Sequence, residues 1–243
     1  MSLALQSAPA PTKFQSSASQ ISLLELYSSE GCNSCPPADE WFSGLKTSKA
    51  LWHDFVPISW HVDYWNYLGW TDPWSNENFS ERQRAYAAAW HSESIYTPCL
   101  VLNGSEWRPW FRSANGPAAS GKEVGTLTVD STDHKLWHVQ FSPASNTQQR
   151  YQVHAALLGN GLASDVTAGE NKGRHLTHDF VVLSNTDTYL PGRTNEFRGD
   201  IALDTTSAGT NSRNAVAFWI TPGNELEPVQ AVGGWLAEPP STK

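Results

Sequence analysis

Cys32 and Cys35 stand two residues apart, and the one other cysteine in the chain is Cys99. Three thiols cannot build a disulfide framework, so a chain of 243 residues must hold itself together by burying a core. A bridge over so short a loop would constrain the unfolded chain little compared with one that closes a long loop. The spacing therefore points to chemistry at the pair. Two other readings stay open: half of a zinc site, or an inert pair. A zinc site needs a second ligand pair at finger spacing, and neither a second C-x-x-C nor an H-x3–5-H follows nearby.

The flanking sequence places the pair. ISLLELYSS (21–29) reads as a strand, and Pro36 and Pro37 open the helix-compatible ADEWFSGLKTS. Proline is tolerated in a first helical turn. Strand, turn and helix in that order set Cys32 at a helix N-terminus, where free N–H groups and the macrodipole favour a thiolate. Cys32 is then the expected exposed nucleophile, with Cys35, one turn deeper, as the resolving thiol. DFVPISWHVDYW (54–65) reads as a strand running into a loop. SERQRAYAAAW (80–90) reads as a helix opened by a capping box of Ser80 and Gln83. In IYTPCLVLNGSEWRPWF (95–111), CLVL followed by Asn103-Gly104 is a hairpin signal. Pro98 lies at the entrance of its first strand, where proline can be tolerated.

This order is similar to that of the thioredoxin-like superfamily. More narrowly, the chain resembles the bacterial and plant family called domain of unknown function 1223. The resemblance rests on ELYSSEGCNSCPPAD (25–39), HVDYWNYLGWTDPW (61–74), ERQRAYA (81–87), YTPCLVLNG (96–104) and AGENKGRHLTHDFVV (168–182). It implies a thioredoxin-like α/β domain, export from the cytoplasm, and a cis Thr97-Pro98 bond lying against the C-x-x-C. Thr97 and Pro98 would then position the backbone of a client. Two departures stand out. RSANGPAASGKE (112–123) holds too much glycine and proline for a full closing helix. Glu25 is the only acid on the strand before the pair; it could exchange protons with Cys35, or pair with an arginine or backbone groups.

After residue 122 the pattern changes to seven strand-like runs, TLTVDS, LWHVQFS, RYQVHAALLG, LTHDFVVLS, FRGDIALD, NAVAFWITPG and PVQAVGGWLA, divided by turn-rich pieces. Such a series argues for an all-β sandwich. The expected organisation is a flexible leader (1–20), an α/β thioredoxin-like domain (21–115) and a β-sandwich domain (122–243). AGENKGRHLTHD has no phosphate-loop or dinucleotide spacing and reads as a structural or interdomain contact.

Further candidates lie around the pair. His61 and Asp63 at the end of the second strand could line the site for proton transfer, or could serve a packed loop. Cys99, by alternation, points away from the face that Thr97 presents to the C-x-x-C, and reads as a buried thiol. Nine of the 12 tryptophans fall between Trp41 and Trp110. Trp65, Tyr67, Trp70 and Trp74 share one loop-like segment and could rim the site for a client. A net charge of -8 without a basic stripe argues against nucleic acid and anionic membranes. No apolar run approaches the roughly 18 residues of a membrane span, and neither H-E-x-x-H nor G-x-S-x-G occurs. The expected activity is thiol–disulfide exchange on a protein or small-thiol client, without cofactor or metal. The alternative is a non-catalytic binding protein whose C-x-x-C is a structural disulfide or a metal site. Residues 1–20 lack a signal-peptide pattern. The compartment implied is periplasmic or extracellular, with any signal missing from this sequence.

Overall fold

The computed structural model describes residues 11–205 and 213–236. In chain order the elements are β1 (Thr12–Gln15), β2 (Ser22–Ser28), α1 (Pro36–Gly44), β3 (Phe55–His61), α2 (Glu77–Ala89), β4 (Cys99–Leu102), β5 (Ser105–Glu106), β6 (Gly125–Ser131), β7 (Leu136–Pro143), β8 (Tyr151–Gly159), β9 (Leu162–Asp165), β10 (His175–His178), β11 (Val181–Leu190), β12 (Gly192–Arg193), β13 (Glu196–Ala202), β14 (Ala215–Pro222) and β15 (Gln230–Trp235). One mixed sheet has eight strands in the order β15-β14-β8-β11-β3-β2-β4-β5. A second has five, in the order β1-β6-β7-β13-β12, and β9 and β10 pair only with each other.

Alternation along the strands divides the core. β2 and β3 are buried at every position, as suits a strand covered on both faces. Leu23 and Tyr27 of β2, Val56, Ile58 and Trp60 of β3, and Ala156 and Leu158 of β8 turn to one face, where α2 brings Phe79 and Tyr86. Leu24 and Leu26 turn to the other and meet Ala38, Phe42 and Leu45 of α1 and its following turn. On that second face, further along, Val153, Ala155, Val216 and Phe218 meet Leu127, Trp137, Phe141 and Phe197 of the five-stranded sheet. Pro57 sits within β3 without harm. β11 joins β3 only at Ser59, whose N–H reaches Phe180 O at 2.8 Å, so no partner stands where proline lacks its donor.

This architecture corrects the expectation of an α/β thioredoxin-like domain beside a separate sandwich. The chain is mostly strand, with two α-helices among the described residues. Its largest sheet runs across both halves, because Val181 of β11 pairs in parallel with Ser59 of β3. A sheet ending at β3 would leave an open edge of unpaired N–H and C=O groups; β11 meets that edge at Ser59.

Two smaller expectations change as well. Thr12–Gln15 lies in the span expected to be a flexible leader, but pairs with β6 as an edge strand, and Phe14 stacks on Trp137; residues 1–10 lie outside the described residues. The helix expected from Ser80 begins at Glu77 instead, capped by Asn76, whose side chain accepts from Asn78 N. As its glycine and proline imply, segment 112–123 forms no α-helix. It lies against α1 and β3: Trp41 donates to Ser113 O at 3.0 Å, and Gly116, at φ +88, leaves room for the Phe55 ring that any Cβ would strike. Asn103 and Gly104 turn β4 into β5 with positive φ at both positions, the backbone that an Asn-Gly hairpin turn requires. No helix among the described residues is long and apolar enough to cross a membrane.

Candidate functional site

Cys32 and Cys35 form a disulfide at the start of α1, with Cys35 as the residue that caps the helix. The helix offers Cys32 no N–H group from its first turn. Pro36 and Pro37 have none to give, and Ala38 N and Asp39 N both donate to Cys35 O, at 2.9 and 3.1 Å. The Ser34 hydroxyl lies 3.3 Å from Cys32 Sγ and donates to Thr97 O at 3.4 Å, and Thr97 O lies 3.7 Å from the same sulfur. Cys32 is 1% exposed and Cys35 0%. The expected exposed nucleophile is therefore covered in this closed state.

Two layers flank the pair. On one side the Thr97-Pro98 bond is cis, and Thr97 Oγ1 accepts from Trp65 Nε1 at 2.8 Å. Trp65 also packs on Gly31, where an added Cβ would come within 2.8 Å of the Trp65 Cβ. Trp65 thus reaches from Gly31, at its Cβ, to Thr97, at its indole N–H. Tyr67 stacks on it with ring centroids 6.5 Å apart and is 78% exposed. On the other side lies the turn between β9 and β10. Asn171 Nδ2 donates to Glu30 O and Cys32 O, both at 2.8 Å, and Glu170 accepts from Asn33 N at 3.1 Å.

The four expected rim residues therefore divide. Trp65 and Tyr67 stand at the surface beside Thr97. Trp70 and Trp74 turn inward: Trp70 donates to Glu30 Oε2 at 2.8 Å, and Trp74 lies edge-on to His61 and His178. They line a buried polar cluster behind the disulfide. His61 Nδ1 meets Asp72 Oδ2 at 2.7 Å, and that oxygen also accepts from Glu30 N at 2.9 Å. His178 Nε2 meets Glu30 Oε1 at 3.1 Å, and Ser28 donates to Asp39 Oδ2 at 3.0 Å. His61 and His178 are perpendicular with centroids 4.8 Å apart, and His61 Nε2 and His178 Nδ1 have no hydrogen-bond partner.

Burial, the largest influence on Asp39, holds its carboxyl above the ordinary value against the pull of His178, His61 and Ser28. Burial acts in the same sense on Asp72, but the charge and hydrogen bond of His61 outweigh it, and the Asp72 value is lowered. For His61 burial works against the charged form, and Asp72, Asp39 and Glu30 overcome it, so its value is raised. Among the described residues no group of three or more His, Cys, Asp or Glu side chains is arranged to hold a metal ion.

Other expected residues fall elsewhere. Glu25 shares its face of β2 with Leu23 and Tyr27, the face of α2, whereas Cys35 stands with α1 on the opposite one. It accepts from Arg82 Nε and Trp60 Nε1, each at 2.8 Å, and from Tyr86 OH. Proton exchange with Cys35 is thus replaced by the structural pairing that was its alternative. Asp63 accepts from Ser80 Oγ and ties the β3 loop to α2. Cys99 is buried on the α2 face, and burial, followed by Glu106, pushes its thiol up to about 11. Glu30, Asp39, Asp72, Glu170, Asn171 and His178 are the site residues that local sequence reasoning missed. Their signal lay in the three quoted segments 25–39, 61–74 and 168–182, whose spatial meeting no local pattern announces.

A family model described as "Protein of unknown function (DUF1223)" matches residues 23–220. No curated protein matches the chain. Two solved structures share its fold. A structural-genomics target from Agrobacterium tumefaciens is 22% identical with a TM-score of 0.64, over 93% of this chain and 97% of that one. HBP35 of Porphyromonas gingivalis is 14% identical with a TM-score of 0.60, over 94% of this chain and 79% of that one.

Proposed function

The chain belongs to the DUF1223 family, and on that premise we propose that it carries out thiol–disulfide exchange at Cys32 and Cys35 with a protein or small-thiol client. The observation that carries this reading is the closed Cys32–Cys35 bond at the head of α1, with Ser34 Oγ and Thr97 O set on the Cys32 sulfur alone. Nothing about so short a loop recommends it as a staple for the fold.

In the oxidised protein a client thiolate attacks Cys32 Sγ. The Cys32–Cys35 bond breaks, and Cys35 leaves with the electron pair as a thiolate. A second client thiolate then attacks the client sulfur of the mixed disulfide and expels Cys32 as a thiolate. The client dithiol has lost two electrons and the protein pair has gained them. Run in reverse, Cys32 thiolate attacks a client disulfide and Cys35 resolves the intermediate. Ser34 Oγ is placed to donate to the Cys32 thiolate in either direction. Thr97 and Pro98 border the line of attack, and Tyr67 with Trp65 offers a client an apolar contact beside it. A periplasmic or extracellular compartment suits a protein held with this bond closed.

A second reading, in which the disulfide is structural and the protein only binds, is favoured by the burial of both sulfurs, at 1% and 0% exposure. Glutathione disulfide separates the two. Cys35→Ser leaves Cys32 free to form a glutathione adduct with release of one glutathione, and intact mass is expected to show full addition. Cys32→Ser is expected to remain unmodified at the deeper Cys35. No adduct on either variant would favour the structural bond, and addition to Cys35 alone would reverse the roles.

A further inference from the structure

The hairpin β9–β10 belongs to neither large sheet. Two strands alone are marginally stable in water, so its position depends on what it touches. Its base is pinned: Gly161 N donates to Asp179 Oδ1 at 2.8 Å, Phe180 N to Asn160 Oδ1 at 2.9 Å, and Lys46 meets Asp179 at 2.7 Å. Its sides lean on Glu30 through Ser164 and His178. Its tip, residues 166–174, is a closed turn, with Gly173 N on Val166 O at 2.7 Å.

That tip is fastened to the disulfide loop by side chains whose hydrogen-bonding capacity is largely used there. Asn171 is 0% exposed. Both hydrogens of its amide are engaged, one by Glu30 O and one by Cys32 O, while its Oδ1 accepts from Arg174 Nη1 at 2.9 Å. Glu170 takes the N–H of Asn33. Three polar contacts, at Glu30 O, Cys32 O and Asn33 N, therefore hold the backbone of residues 30–33 from a segment far away in the chain. A thiolate must approach Cys32 Sγ in line with the bond it breaks, and a sulfur at 1% exposure admits no such approach.

We propose that the 166–174 turn is a latch on the disulfide, which must unfasten from residues 30–33 before a thiol reaches Cys32, and that Asn171 and Glu170 are positioning residues that set how often it does. The inference deepens the exchange reading and rests on it for its purpose. The latch itself is a property of the oxidised chain. Opening breaks the two amide contacts of Asn171 and the one contact of Glu170, while the base at Asn160, Gly161 and Asp179 stays in place.

The test uses the full oxidised chain and dithiothreitol as reductant. One dithiothreitol thiolate attacks Cys32 and expels Cys35; its second thiolate closes the reagent's ring and expels Cys32. The rate of appearance of free protein thiol is followed under excess reagent. Asn171→Ala is expected to be reduced about tenfold faster than the parent, and Glu170→Ala about threefold faster. Glu170→Gln keeps an acceptor for Asn33 N and is expected to return to within twofold of the parent. Amide hydrogen exchange at Asn33 should rise in Glu170→Ala and not in Glu170→Gln, a change that lost stability alone would not confine to one N–H. If Asn171→Ala does not fold, the two variants at the exposed Glu170 decide. Rates for the alanine variants within twofold of the parent or below it, or a Gln variant as fast as the Ala variant, overturn the proposal. The glutathione equilibrium of the parent is measured separately. An exchange-active equilibrium with unaccelerated variants removes the latch alone. Accelerated variants with an equilibrium that never opens the bond keep the latch and remove the exchange reading.

Discussion

Arg82→Ala is expected to lower the unfolding free energy by about 3–5 kcal/mol, the cost of leaving one partner of a buried ion pair behind. Arg82 Nε meets Glu25 Oε2 at 2.8 Å, with the Glu25 side chain 1% exposed. The guanidinium also lies over the rings of Trp60, Tyr86 and Trp219, at 5.3, 5.3 and 5.7 Å. Burial disfavours its charge, but Glu25 and the neighbouring tyrosines hold its value well above the ordinary one. Without Arg82, Glu25 keeps Trp60, Tyr86 and Tyr27 as donors and loses the cation paired with it. The double variant Glu25→Gln with Arg82→Met removes both charges and should recover most of the loss. Urea unfolding of the two variants checks this. A loss under about 1 kcal/mol for Arg82→Ala, the range of exposed pairs, would mean that the pair contributes as a surface bridge does. Exchange at Cys32 should survive in whatever fraction remains folded, because this pair faces α2 and the disulfide faces α1.

Asp72→Ala carries a loss of similar size, about 3–5 kcal/mol, and a change in pH dependence. Asp72 accepts from His61, from Glu30 N at 2.9 Å and from Trp74 N at 3.0 Å. Its removal strands a buried imidazole and two N–H groups. The folded His61 value is raised above 6.5, so the folded state binds more protons above that pH. Its contribution is complete below 6.5 and is lost as pH rises through the raised value. The Asp72 value is lowered from 3.8, so its contribution is present above that pH and is lost as pH falls through the folded value. Asp39, raised from 3.8, adds a fall in stability as pH rises through its own folded value. The parent's urea midpoint should therefore decline as pH is raised above 6.5. In Asp72→Ala burial acts on His61 with its main partner gone, and that decline should vanish. A decline that persists unchanged in the variant would assign it to another group.

The sequence announced some of this and hid the rest for physical reasons. Strand, C-x-x-C and helix were legible because each is a local signal, as was the Asn103-Gly104 turn; the cis Thr97-Pro98 bond was an expectation from the resemblance alone. The two prolines that mark the start of α1 are also what strip its first turn of N–H donors, and the hydroxyl that lies beside Cys32 Sγ is that of Ser34. The N-cap moved from Ser80 to Asn76 because Asp63 claims the Ser80 hydroxyl, a contact between loop and helix that no capping pattern contains. The fold class was misread because the pairing of Val181 with Ser59 joins segments from opposite halves of the chain. A glycine- and proline-bearing stretch between them reads as a linker, although it packs on Phe55 and α1. The cover over Cys32 was hidden in the same way: Glu170 and Asn171 become part of the site only when β9 and β10 fold back over residues 30–33.

The most direct measurement is the reduction potential of the Cys32–Cys35 pair, obtained by equilibrating the full chain with glutathione buffers and trapping free thiols at each ratio. A pair that exchanges with clients is predicted to titrate near or above about −230 mV. A midpoint below about −300 mV, in the range of structural bonds, would contradict the exchange reading.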